Sequence, residues 1–248
     1  MCGILIASNL QLDLSMELMT ALEKNRGGNG NGFVIVRKGK VKKGVNLKIN
    51  DIYRELKRYP RSMFIFHTRM ASYGKIMDEL CQPFKIPGGY VVHNGTWIDF
   101  VIDYLIKEKR IPDFANDSFT LAYLVSRFGP EILKEIYGAG VVIYYNSRKR
   151  LVYLKNEGSL FYNDQYKCIM SYHYGIISAK EIESGYQVFG FGKEPKYKKE
   201  NKNDLGYLYY SRRRYDYSTK GFDLEDEIRG NNLDIGFDDN SNQVFPGF

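Results

Sequence analysis

Cysteine and histidine are both scarce in this chain. Its three cysteines, Cys2, Cys81 and Cys168, are too few and too scattered along 248 residues for a disulfide framework or a spaced zinc site. The three histidines, His67, His93 and His173, never fall at metal-ligand spacing, which leaves a metal mechanism with little support. No stretch approaches the roughly 18 consecutive apolar residues that a membrane-spanning helix needs. The opening MCGILIAS lacks the basic region and apolar length of a secretory signal. These absences lead us to expect a cytoplasmic protein with reduced thiols, no metal, no cofactor and no membrane partner.

What is present is enough for a globular domain, because 44% hydrophobic content at this length can fill a core. Apolar runs of strand length lie at 3–7, 32–36, 63–67 and 89–93, and again at 140–145, 150–154 and 168–172. Between them, the spacing of Met16, Met19 and Leu22 predicts a helix over 16–24, and further helices are expected over 51–59, 97–108 and 117–128. Strands in two groups with helices between them imply an α+β layered domain. From Lys193 the composition shifts to Lys, Asn, Asp, Gly and Tyr, so the domain is expected to span 1–192 and an extension 193–248.

That extension is charge-segregated. Residues 193–220 carry a net +5 and residues 221–248 a net −6. One reading is a solvated tail whose halves neutralise one another. The other is a docking segment, because Tyr207, Tyr209, Tyr210, Tyr215 and Tyr217 surround Arg212, Arg213 and Arg214, residue types that anchor interfaces and stack on bases. Nucleic acid is a candidate partner only through this tail, since the overall +7 is otherwise spread thinly.

Cys2 directly follows the initiator Met, which is generally trimmed before a small residue, so Cys2 would then own a free α-amine. With reference pKa values of about 7.7–8.0 for an α-amine and about 8.5 for a thiol, one residue supplies both a nucleophile and a base. No histidine partner is required. Taken alone, a Cys at position two before an apolar strand is more often a small buried residue than a nucleophile.

Several motifs in order resemble those of class II glutamine amidotransferases, members of the N-terminal-nucleophile hydrolases. That family's pattern begins with Cys-Gly-Ile, here Cys2-Gly3-Ile4. Its Arg-Gly-x-Asp-x-x-Gly corresponds to Arg26-Gly27-Gly28-Asn29-Gly30-Asn31-Gly32, with Asn29 in place of the Asp. Its His-Thr-Arg-Trp-Ala-Thr-His-Gly corresponds to His67-Thr68-Arg69-Met70-Ala71-Ser72-Tyr73-Gly74. Pro83 sits where Asn-Ala-His-Pro would end, His93-Asn94-Gly95 matches His-Asn-Gly, and Asn116-Asp117-Ser118 matches an Asp-Thr at a helix start. The resemblance covers roughly 2–175.

The resemblance implies a four-layer αββα sandwich in which Cys2 opens a central strand and the two strand groups form the facing sheets. It also implies hydrolysis of the glutamine side-chain amide through a Cys2 thioester. Asn94 and Gly95 would hold the oxyanion, Arg69 and Ser72 the substrate carboxylate, and Asp117 its ammonium. Separately, each has a plainer reading: Arg69 as a surface salt-bridge partner, Asp117 as a helix N-cap and Asn94-Gly95 as a hairpin turn. Met70, Tyr73, Asn29 and Phe119 depart from the pattern and alter the pocket wall, consistent with a slower enzyme or a different amide substrate.

In the family that these motifs resemble, members that make amino sugars, purine precursors, asparagine or glutamate carry a second domain that consumes the ammonia, and the 56 residues after Gly192 are too few for one of ordinary size. A separate synthase subunit is therefore an expected partner. The alternatives are a γ-glutamyl amide hydrolase, or a scaffold or binding protein whose site has decayed. The base assignment carries its own test: a form retaining Met1 should bind glutamine yet turn over negligibly, because its Cys2 nitrogen has no basic lone pair. Equal glutaminase rates for the Met1-retaining and trimmed forms would exclude the amine as base.

Overall fold

A computed structural model describes residues 2–8, 10–38, 40–71, 75–95, 99–136, 138–144, 150–157, 159–191 and 193. Ser72, Tyr73, the expected helix start at 97–98 and the extension beyond Lys193 lie outside the described residues. The elements run β1 (Gly3–Ser8), α1 (Leu12–Arg26), β2 (Asn31–Arg37), β3 (Lys40–Val45), α2 (Ile49–Arg58), β4 (Met63–Thr68), β5 (Phe84–Ile86) and β6 (Gly89–Asn94). Then follow α3 (Asp99–Lys107), α4 (Asp117–Phe128), β7 (Ala139–Tyr144), β8 (Leu151–Asn156), β9 (Phe161–Asn163), β10 (Cys168–Met170), β11 (Lys180–Glu181) and β12 (Gly185–Gly190).

Two antiparallel sheets result, one ordered β11-β9-β10-β1-β4-β2-β3 and the other β12-β8-β7-β6-β5. Cys2 directly precedes β1, the central strand of the seven. The sheets do not follow the two strand groups along the chain. β6 joins the later strands and β10 joins the earlier ones, so each sheet draws on both groups. Periodicity reports which residues alternate and says nothing of which strands pair.

Alternation explains the layers, because successive strand side chains point to opposite faces. Ile4, Ile6, Val34, Val36, Met63 and Ile65 of the larger sheet meet Tyr90, Val92, Val141, Ile143, Val152 and Leu154 of the smaller in one buried layer. The opposite face of the larger sheet presents Leu5, Ala7, Phe33, Ile35, Phe64 and Phe66 to α1 and α2. Helix α1 buries Ser15, Leu18, Met19 and Leu22 at the spacing of one helical face. Ser15 is tolerated there because its Oγ donates to the Gln11 carbonyl at 2.8 Å. Helix α4 packs on β5 and β6 of the smaller sheet and completes the four layers. Each fully buried aliphatic side chain contributes about 1.5–3 kcal/mol.

The sequence reading started α1 too late, at residue 16. Gln11 stands at the N-cap without a side-chain capping bond, so the start carries no signal. β3 went unread because lysines at 40, 42 and 43 break the apolar pattern, as suits an edge strand. β5, β9 and β11 are only two or three residues long.

One buried group of this core titrates. His67 on β4 is fully buried, and that burial, with the neighbouring His93, pushes its imidazole down from 6.5 to about 3. The unfolded chain takes up this proton below about pH 6.5 whereas the folded one resists until about 3, so the contribution is present above 6.5 and is lost as pH falls. Thermal denaturation should therefore show a steeper loss of stability between pH 6.5 and 4 in the unmodified protein than in His67→Gln, by up to about 1.4 kcal/mol per pH unit. Parallel curves would show that His67 does not couple to folding.

Candidate active site

The antiparallel registers bring several chain ends to one mouth of the sandwich. Gly3 of β1 and Asn31 of β2 both lie opposite Thr68 of β4, so the start of β1, the start of β2 and the end of β4 coincide. In the facing sheet, Asn94 at the end of β6 lies opposite Ala139 at the start of β7. The two sheets meet here directly, because the Cys2 backbone N–H donates to Asn94 Oδ1 at 2.8 Å.

The Cys2 sulfur rests against the chain that leaves β4. Met70 N–H donates to Sγ at 3.5 Å, and the thiol in turn lies 3.7 Å from the Met70 carbonyl. Cys2 as a residue keeps partial exposure, but its sulfur is desolvated, and this burial pushes the thiol above its usual range. The Met70 N–H pulls it down, the Asp117 carboxylate pushes it up, and the Arg69 guanidinium pulls it down. Both charges thus act on the sulfur from within the same site.

Asn94 is 3% exposed, and its Nδ2 is buried without a hydrogen-bond partner among the described residues. A buried amide N–H without a partner costs about 1–3 kcal/mol unless something binds it. Because Oδ1 is engaged by Cys2, the amide is oriented with its donors turned away from the backbone of β1. Gly95, exposed, follows at the strand end. The segment does not turn back into an adjacent hairpin strand, since the next element is α3, so the plain-turn reading fails.

Arg69 is 2% exposed, which removes the surface salt-bridge reading. Its Nη1 donates to the Lys75 carbonyl at 2.7 Å, and its backbone exchanges bonds with Gly30 and Asn29. Asn29, where the motif has Asp, accepts from Ala71 N–H at 2.9 Å through Oδ1. A neutral amide oxygen thereby supports the loop after Arg69 as a carboxylate would.

Asp117 stands at the first position of α4 and is not its cap. Asn116 is the N-cap, its side chain accepting from Phe119 N–H at 2.9 Å. Asp117 Oδ1 accepts from Ser118 N–H at 2.7 Å, and no ion pair to it forms among the described residues. Ser118 also reaches across to β6, its Oγ lying 3.0 Å from His93 Nδ1. Phe119 turns into an aromatic group, with Phe84 at 5.6 Å and Phe114 at 6.1 Å between ring centroids.

The structure therefore brings Cys2, Asn94 and Gly95 together and sets Arg69 and Asp117 where their charges act on Cys2. Ser72 lies outside the described residues. Sequence reasoning passed over Gly138. A Cβ there would lie 2.5 Å from the Asn94 carbonyl oxygen and 2.8 Å from Gly95 Cα, and its φ of +92° disfavours other residues. Ser118 was read only as part of a helix start, and Gln82 not at all; a lone Gly and a Gln before Pro carry no recognisable signal.

Compared with models of protein families, the chain matches none, and no curated protein matches it. Solved structures do. The glutamine phosphoribosylpyrophosphate amidotransferase from B. subtilis, complexed with ADP and GMP, superposes with a TM-score of 0.55 at 17% identity, over 79% of this chain and 50% of that one. The allosteric regulatory enzyme of purine biosynthesis does so with a TM-score of 0.55 at 19% identity, over 77% and 49%. The chain spans about half the length of each. The chain shares its α+β, two-sheet fold with these two structures, and the arrangement is the one that the motif resemblance led us to expect. No helix among the described residues is long and apolar enough to cross a membrane.

The raised thiol sets a pH dependence. In the Met1-containing chain, alkylation of Cys2 by iodoacetamide, followed by peptide mass, should keep accelerating as pH rises past 9, because only the thiolate reacts. A rate already at its plateau by pH 8 would contradict a desolvated sulfur.

Proposed function

We propose that this chain hydrolyses the side-chain amide of L-glutamine to glutamate and ammonia through a thioester on Cys2. The observation that carries the reading is Asn94: held on the Cys2 backbone by Oδ1, it presents a buried Nδ2 without a partner among the described residues next to Cys2. A donor in that state is what a developing oxyanion requires. The fold shared with the glutamine phosphoribosylpyrophosphate amidotransferase agrees with this reading but does not carry it, at 17% identity.

In the proposed cycle Arg69 pairs with the α-carboxylate of the substrate and Asp117 with its ammonium, with Ser72 contributing a hydroxyl. Once Met1 is removed, the Cys2 amine accepts the thiol proton through a water molecule. Sγ then bonds to the amide carbon, whose oxygen becomes an oxyanion held by Asn94 Nδ2 and Gly95 N–H. The C–N bond breaks as the amine returns the proton to nitrogen, releasing ammonia. Water attacks the thioester, its proton passing by way of the amine back to sulfur, and glutamate leaves. The desolvated sulfur explains why a base is needed: at neutral pH the thiol stays protonated. A synthase that consumes the ammonia is the partner this reading calls for, and 1–192 is the proposed catalytic domain.

Three substitutions test the assignment. Arg69→Ala should raise KM with kcat largely kept, because a carboxylate pair holds ground and transition states alike. Asp117→Asn should behave similarly. Asn94→Ala should lower kcat about a hundredfold or more, since its donor meets charge that exists only after attack. Unchanged glutaminase kinetics in all three would leave a scaffold or binding protein. Cleavage of γ-glutamyl amides in place of glutamine, with the same mutational pattern, would keep the mechanism and change the substrate.

A further inference from the structure

β6 is completed on one side by a side chain. The register that pairs Phe84 with Val91 would set residue 82 opposite His93, yet β5 begins only at Phe84. The Gln82 side chain makes that pair: Oε1 accepts from His93 N–H at 2.6 Å, and Nε2 donates to the His93 carbonyl at 3.1 Å. In an antiparallel strand both backbone groups of one residue face the same neighbour. A single primary amide, with one acceptor and two donors, can satisfy both at once.

The main chain of Gln82 is anchored on the other sheet. A Cβ on Gly32 of β2 would lie 1.9 Å from the Gln82 carbonyl oxygen, so the two backbones are in direct contact. Gln82 is 2% exposed. It is therefore seated against β2 by its backbone and against β6 by its side chain, behind the mouth. His93 directly precedes Asn94, whose Oδ1 receives the Cys2 N–H at 2.8 Å. From the other face, Ser118 holds the His93 ring.

We propose that Gln82 is a positioning residue of this site: its side-chain amide extends the β5–β6 ladder to His93 and thereby holds Asn94 in place at Cys2. Its kinetic consequence rests on the glutaminase reading, and its geometric consequence does not. Gln82 acts through Asn94, so its loss should appear in the step where charge develops on oxygen and not in substrate binding.

The test compares the full chain, Met1 removed, with Gln82→Met, which keeps the length of the side chain and loses both bonds, and with Gln82→Glu, which keeps the acceptor for His93 N–H. For Gln82→Met the expected result is kcat reduced tenfold or more with KM within about threefold. Amide exchange at His93 should accelerate at least tenfold while Val92, which faces β7, stays protected. Gln82→Glu should retain slow exchange at His93 and an intermediate kcat, and it keeps the comparison open if the Met variant fails to fold. A kcat unaffected by either variant, or a rise in KM with kcat kept, would overturn the proposal, as would unaltered His93 exchange in Gln82→Met. An unmodified chain that neither hydrolyses glutamine nor takes up diazo-oxo-norleucine at Cys2 overturns the glutaminase reading itself. An active chain indifferent to residue 82 overturns this inference alone.

Discussion

The hydrogen bond from Cys2 N–H to Asn94 Oδ1 is the constraint on which the rest of the site depends, because it joins the residue just before β1 of one sheet to the last residue of β6 in the other. Packed sheets ordinarily stand about 10 Å apart, filled by side chains from both. At the mouth this spacing closes to a single side chain. Such an approach requires neighbours that take no room, and Gly32 of β2 against the Gln82 carbonyl meets that requirement, while within the smaller sheet Gly138 before β7 leaves room for the end of β6.

The geometry has an energetic cost that the apolar layers must offset. Asn94 Nδ2 and Thr68 Oγ1 are buried without partners among the described residues, each a penalty of about 1–3 kcal/mol. The inter-sheet layer and the layer under α1 and α2 contribute many fully buried aliphatic and aromatic side chains, enough to carry a few such groups. That uncompensated polar atoms lie beside the desolvated thiol, on strand ends held from both sheets, is the pattern expected where a site is built for something else to bind.

Among the described residues, the departures at Asn29 and Met70 fall on positions where a neutral group or the backbone does the work. Asn29 needs only an acceptor for Ala71 N–H and supplies one. Met70 meets the Cys2 sulfur through its own N–H and carbonyl, so its side chain is free to change without altering that contact. Phe119 belongs to an aromatic group with Phe84 and Phe114. Of the residues given roles in the proposed chemistry, Cys2, Asn94, Gly95, Arg69 and Asp117 match the motifs, and Ser72 keeps the hydroxyl of the motif's Thr.

Read alone, the sequence determined the α+β class, most of the longer strands and helices, and the candidate residues Cys2, Arg69, Asn94 and Asp117, because period and motif are local properties. Tertiary structure alone decided that β6 and β10 cross between the strand groups, since pairing depends on contacts far apart in the chain. It also decided between readings that local pattern left open: Arg69 is buried, Asn116 and not Asp117 caps α4, and Asn94 ends a strand that leads on to a helix. Gln82 and Gly138 belong wholly to this second kind. Gln82 acts where β2 and β6 approach and Gly138 where β7 begins beside Asn94, and a glutamine or glycine carries no trace of such a neighbour until the chain has folded around it.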